Sequence, residues 1–279
     1  MGLPTPSMSA FELDPEIKRE CIWAGHSYRP ASALVDRDGP LVKVRSNRAW
    51  DVVSQHTHSY DSLFSQLGDL TKTPEVVAIR EQIRSWRFYD HFRTDSEVPA
   101  RIPQLGTHTP ILHHDGRDLA AALQTILEIG DAEALHDAVS DAFPGASLRI
   151  SSQEDGRFAV LLHQHGLLRP LSAAEFSDGT LRYLLWVAAL LTPRPPPLMV
   201  LNEPETSLHP DLLQALARLI IHASKSTQVW VVSHATRLIA ALEQADECNS
   251  ITLEKNLGQT QIIGQEMLDA PPWHWPDNA

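Results

Sequence analysis

Between Pro170 and Leu242 apolar runs of two lengths alternate, and this alternation limits the possible folds more than any other feature of the chain. LMVL (Leu198–Leu201) and VWVV (Val229–Val232) have the length of strands, while LRYLLWVAALL and LLQALARLII have the length of helices. LMVL follows Pro195-Pro196-Pro197 and, as a continuous apolar run, suits a strand buried on both faces. Helix, strand, helix, strand and helix in succession is α/β patterning around a largely parallel sheet. In open sheets of that kind, ligands gather beyond the carboxyl ends of the strands. Asn202 and Glu203 occupy one such end and Ser233-His234 the next.

The texture upstream is different. Residues 31–53 alternate short β-prone runs with Asp-Gly-Pro and Ser-Asn turns, the pattern of an antiparallel meander. From Asp61 to Arg87 the apolar residues Leu63, Leu67, Val76, Ile79 and Ile83 recur near helical spacing, and Pro74 is placed to start a second helix. After a loop over residues 95–115, apolar residues at spacings of three and four predict two helices divided at Gly130. SLRISSQ and RFAVLLHQH then predict a hairpin turning at Asp155-Gly156.

A chain of 279 residues can bury roughly three quarters of its unfolded surface. Its 43% hydrophobic and 21% charged content excludes disorder as the default. The net charge of −12 argues against a surface-wide nucleic-acid footprint, which needs clustered cations. Arg80, Arg84, Arg87 and Arg93 read as a solvated helix face, with a local basic groove as the alternative. Cys21 and Cys248 lie far apart and form no spaced framework, which fits a reducing cytoplasm. The N-terminus lacks a signal-peptide pattern and no segment approaches ~18 unbroken apolar residues, so a cytoplasmic protein without a membrane span is expected.

Each chemical feature has a bland reading beside the functional one. Glu203 at a strand end can orient or deprotonate a water, or it can be an acidic helix-start cap. His234 can donate to a phosphate oxygen, or be structural. Ser177, Asp178, Gly179 and Thr180 precede a strongly apolar helix, so they form either an anion site of free N–H groups or an ordinary N-cap. His163 and His165, and the loop pair His113-His114, suggest metal ligation, but no Cys or carboxylate is read at ligand spacing beside them. Trp273 and Trp275 in the tail are expected to dock onto the domain, the alternative being a partner motif.

Taken in order, FSDGT, LMVLNEPETSLHP and VVSHA resemble the signature motif, the Walker B motif with D-loop, and the switch histidine of ABC-type ATPases. The resemblance is closest to the RecF-like and SMC-like branch and to AAA-type predicted ATPases of bacteria. It is strong over Leu171–Leu242 and fainter over Phe11–Arg93. It implies an α/β P-loop NTPase fold of the ABC-type head, with a mostly parallel core sheet, an antiparallel β lobe and a helical lobe carrying the signature motif. Residues 1–58 would be the β lobe, 59–170 the helical lobe with its hairpin, 171–270 the ATPase core and 271–279 a tail.

The same resemblance implies the site residues. Glu203 would be the general base and His234 would hold the γ-phosphate. Ser177, Asp178 and Gly179 would form the signature surface, and Ser207 would open a D-loop running to Pro210. Gln66 would match the glutamine loop. ATP and Mg2+ are the implied cofactors. The implied partner is a second copy or an intact family member, joined through the signature and D-loop, with a DNA client left open. Asn202 stands where the family has a magnesium-associated aspartate and offers an uncharged amide oxygen instead.

The larger departure is the phosphate loop. The family carries Gly-x-x-x-x-Gly-Lys-Ser/Thr, whose backbone N–H groups and Lys cradle the phosphates. The lysines here are Lys18, Lys43, Lys72, Lys225 and Lys255, and none follows a glycine. Lys72-Thr73 and Lys225-Ser226 have the dipeptide without the loop. Because the chain starts near the expected strand SAFELD (Ser9–Asp14), the motif's absence is expected to reflect an N-terminally incomplete head. Losing even three charge-assisted bonds of about 1.5–3 kcal/mol would weaken nucleotide binding by roughly three to six orders of magnitude. ATP and Mg2+ are therefore expected to bind this chain alone weakly or not at all. A non-catalytic remnant acting as a binding or dimerisation module is the alternative.

Overall fold

The structure, a computed structural model, describes residues 16–46, 49–69, 71–256 and 258–264. The strand expected over Ser9–Asp14 and the tail residues Trp273 and Trp275 lie outside them. The chain divides into two units, one drawn from the residues up to Arg84 together with those from Ile251 on, the other Ser85–Ser250.

In the first unit β1 (Arg19–Trp23), β2 (Ala33–Asp38), β3 (Leu41–Ser46) and β4 (Ala49–Ser54) form an antiparallel sheet in chain order. The expected meander is β2 to β4, and β1 adds a strand on its edge. Inward positions Ile22, Val35, Val42 and Val44 alternate along the strands and pack with Leu63 of α1 (Leu63–Gln66) and Val76 of α2 (Pro74–Ser85). Pro74 does begin α2, where its missing N–H costs no bond. The fully buried Arg37 is tolerated because its guanidinium donates to Glu20 at 2.7 Å and to the carbonyls of Gly39, His58 and Asp61. Of the four arginines expected on one helix face, Arg80 and Arg84 are on α2, Arg87 is in a strand, and Arg93 pairs with Asp95 at 2.9 Å.

The second unit contains β5 (Arg87–Tyr89), a 3-10 turn (Pro99–Arg101), β6 (Gln104–Leu105), α3 (Leu119–Ile129), α4 (Ala132–Ala142), β7 (Ser147–Ser152), β8 (Arg157–His163) and β9 (Leu171–Ser172). It continues with α5 (Asp178–Leu190), β10 (Leu198–Asn202), α6 (Leu212–Ser224), β11 (Gln228–Val232) and α7 (Thr236–Leu242). Gly130 ends α3, as its place between the two apolar patterns predicts. β7 and β8 pair antiparallel as expected, with Gly156 in the turn at φ +79°.

β10 is the middle strand of a parallel sheet, flanked by β11 and β5. α5 is buried without a break from Leu181 to Leu190, which is why its sequence there is apolar around the helix except for Arg182 and the Tyr183 hydroxyl. It shares one core with Leu123 of α3, Leu216 of α6 and the inner face of the sheet, Tyr89, Met199 and Leu201. The outer face is different. Val200 of β10 is only half-buried, and its register neighbours Phe88 and Trp230 are exposed, so LMVL is not covered on both faces as its apolar run suggests. The last elements among the described residues are the antiparallel pair β12 (Leu253–Asn256) and β13 (Gln259–Ile262), which belongs to the first unit.

Candidate functional site

The parallel sheet brings the carboxyl ends of β5, β10 and β11 side by side, and the side chains at those ends form the site. Glu203 continues the pairing beyond β10, its N–H donating to the Val232 carbonyl at 2.8 Å. The backbone then turns sharply: Glu203 (φ +48°) and Ser207 (φ +62°) are the only non-glycine residues with positive φ among those described. Left-handed backbone costs an L-residue roughly 1–2 kcal/mol, so the loop from Glu203 to Ser207 is held by its surroundings.

The holding comes from one face of α5. Gly179, Arg182 and Trp186 recur at helical spacing on that face. A β-carbon at Gly179 would lie 3.2 Å from the Ser207 carbonyl oxygen. Arg182 donates to the Thr206 carbonyl at 3.0 Å and to that of Phe92 at 2.8 Å, and the Trp186 indole donates to the Pro204 carbonyl at 3.0 Å. The signature-like segment and the D-loop-like segment are therefore in direct contact, through a glycine that admits the carbonyl.

Within the loop, the Glu203 carboxylate lies 2.7 Å from His234 Nε2, joining the ends of two adjacent strands. The His234 side chain is 81% exposed and that of Glu203 29%, so the pair faces solvent through the imidazole. Glu203 is not a helix cap, since it precedes α6 by the whole D-loop-like segment and its partner is an imidazole. Glu205, which sequence reasoning missed, does the backbone work. One of its carboxylate oxygens accepts from Ser233 Oγ at 2.6 Å and from the N–H groups of His234 and Ala235 at 3.2 Å. Its other oxygen is buried and has no hydrogen-bond partner among the described residues. As the second acid of Glu-Pro-Glu it carried no separate signal.

Ser177 is the N-cap of α5, accepting from the Thr180 N–H at 3.1 Å, and so meets the bland expectation while leaving the helix start exposed. Asp178 accepts from Arg101 at 2.8 Å. Arg101 is 8% exposed and also donates to the carbonyls of Thr94, Ala173 and Phe176, which fixes the approach to α5. Gln66 belongs to the first unit, where its amide donates to Asp61 at 2.6 Å, whereas the other site residues belong to the second.

For a divalent cation the strand ends offer hard oxygen donors. Asn202 donates its amide N–H to Asp90, at the end of β5, at 2.5 Å, which places a charged carboxylate beside the uncharged amide oxygen. For a triphosphate, no lysine of the sequence follows a glycine, and among the described residues no Gly-Lys loop precedes a helix in the manner of a phosphate cradle.

Elsewhere, the structure corrects the expectation that no carboxylate accompanies the loop histidines. His113, His114 and Asp115 bring their ligand atoms within 4.8 Å of one another. Burial would raise the Asp115 carboxyl, but hydrogen bonds from Arg117 and His113 hold it at about 2. The Arg117 guanidinium lies 3.0 Å from that carboxylate and 3.1 Å from His113 Nε2, so it already supplies the positive charge there. Among the described residues no helix is long and apolar enough to cross a membrane.

Residues 34–240, well over half of the 279, match the family model described as "AAA domain, putative AbiEii toxin, Type IV TA system". No curated protein matches the chain. Among solved structures, the Smc head domain with coiled coil and joint from Pyrococcus yayanosii is 17% identical at TM-score 0.41, over 53% of this chain and 28% of that one. The SMC head domain from Thermotoga maritima is 13% identical at TM-score 0.42, over 89% of this chain and 73% of that one. Identities and TM-scores are both low.

Proposed function

The chain belongs to this AAA-domain family, and from that premise we propose that it is an ATPase-type head carrying the water-polarising and signature surfaces of a nucleotide site without the phosphate cradle. The observation that supports this reading best is the Glu203–His234 contact of 2.7 Å at the ends of two parallel strands. A carboxylate held by an imidazole at that place can accept a proton from a water. The contact between Gly179 and Ser207 supports a second surface, the start of α5, that can face a nucleotide held by a partner.

Alone, these 279 residues should show no magnesium-dependent ATP turnover above background, and calorimetry should find ATP binding no tighter than about millimolar. Turnover that vanished in Glu203→Gln would overturn this. Mixed with an intact family member, the chain should complete one composite site through Ser177 and Gly179, which reach across to the partner's nucleotide. Turnover of the mixture should then fall with Ser177→Arg and be indifferent to Glu203→Gln, both in this chain. The opposite sensitivity, or no association in ATP, leaves a non-catalytic dimerisation or binding module. That second reading is favoured by one observation: Asn202 offers only an uncharged amide oxygen where the family has a magnesium-associated aspartate.

A further inference from the structure

The loop that leads into α3 is pinned on its inner side and open on its outer side. Tyr89 donates its hydroxyl to the Leu112 carbonyl at 3.0 Å, and the His113 N–H donates to Asp118 at 3.0 Å. Gly116, at φ +72°, lies so close to α5 that a β-carbon there would clash with the Leu185 side chain. Between these anchors His113 and Asp115 are half-buried and His114 is exposed.

Among the described residues these three form the one group of three or more His, Cys, Asp and Glu side chains whose ligand atoms converge, all within 4.8 Å of one another. The Arg117 guanidinium bridges two of them, 3.1 Å from His113 Nε2 and 3.0 Å from the Asp115 carboxylate. An arginine only donates, so His113 turns the lone pair of Nε2 toward it, while Nδ1, 2.7 Å from Asp115, carries the proton. A carboxylate on Nδ1 with Nε2 turned to a positive charge is the arrangement in which histidines hold metal ions. The guanidinium therefore stands where a cation meets both His113 and Asp115. Its side chain is 54% exposed and can swing into solvent at the modest cost of a surface ion pair.

We propose that His113 Nε2, Asp115 and His114 bind a zinc ion in place of the Arg117 guanidinium, with water as the fourth ligand. Two imidazoles and one carboxylate are a zinc donor set, whereas magnesium and calcium favour oxygen alone. Ligands about 2.0–2.2 Å from a tetrahedral ion stand roughly 3.4 Å apart, and the exposed His114, whose ring centroid is 4.1 Å from that of His113, closes the gap by rotating its side chain. Burial acts to raise the Asp115 carboxyl, but hydrogen bonds from Arg117 and His113 hold it at about 2. It is thus ionised wherever the imidazoles are neutral, which is the state both need as ligands. The site does not depend on the ATPase-head reading.

The test titrates the untagged full chain with Zn2+ by calorimetry and follows the imidazole nitrogens by NMR. One zinc should bind per chain with a micromolar dissociation constant, shift the His113 and His114 resonances, and stay bound in excess Mg2+. His114→Ala, at an exposed position, should keep the parent circular dichroism and weaken binding by at least about tenfold, as should Asp115→Asn. Arg117→Ala should tighten binding by about two- to fivefold, because it removes the competing cation. Binding no tighter than millimolar overturns the proposal. So does zinc that binds equally well to His114→Ala and Asp115→Asn, since it then sits on other histidines such as His163 and His165. Weaker binding in Arg117→Ala overturns it too, since the guanidinium would then support the loop rather than occupy the ion's place.

Discussion

Arg101 makes the residue-scale argument: a guanidinium with almost no access to solvent is kept because the nearby Thr94 carbonyl and the distant carbonyls of Ala173 and Phe176 surround it. Arg101→Met would leave those carbonyls without donors. Urea unfolding should show a loss of roughly 3 kcal/mol or more, together with faster amide exchange at Phe176 and Ser177. Glu175, two residues before Ser177, gives a pH signature. The Arg169 guanidinium first, and then the backbone and hydroxyl of Ser172, hold its carboxyl at about 2, below the ordinary carboxylate value. A depressed folded value stabilises above the unfolded pKa and is lost as pH falls through the folded one. Glu175→Gln should therefore melt below the parent chain at pH 5–7 and converge with it as pH approaches about 2. The places of Glu203, His234 and Ser177 at element ends were legible in the sequence because each sits at the junction of a strand or helix with a turn. Arg101 and Glu205 were not, because their partners lie 77 and 28 residues away.

At the scale of elements, α5 clamps the loop after β10 along the face of Gly179, Arg182 and Trp186, and the strain at Glu203 and Ser207 is the consequence. Ser207 is exposed, so replacing it by glycine removes the left-handed penalty at little cost in packing. Ser207→Gly should raise stability by about 0.5–1 kcal/mol in urea unfolding, net of the added freedom of the unfolded chain. A loss would mean that the Ser207 side chain, rather than the clamp, sets the turn. The short β5 shows the limit of reading elements locally: three residues, Arg-Phe-Tyr, carry no period, and only the sheet makes them a strand.

At the scale of the molecule, the described residues form two hydrophobic cores, one around Val35 and Val42, the other around Leu184 and Leu216. Calorimetry should accordingly show two transitions rather than one. Leu184→Ala should lower one of them by about 2–5 kcal/mol, and Val35→Ala should lower the other. A single transition shifted by both substitutions would show that the cores unfold together. By itself the sequence determined what is local: the meander, the helix pairs divided at Gly130, the hairpin at Asp155-Gly156 and the strand-end placement of Glu203 and His234. Apolar period and turn chemistry act over a few residues, so they can be read without neighbours. Only the tertiary structure decided that β5 flanks β10, that Asp90 meets Asn202 across 112 residues, and that Phe88 and Trp230 on the outer face of the sheet are exposed. Strand pairing is a contact between distant segments, and an apolar run has the same composition whether or not something covers it.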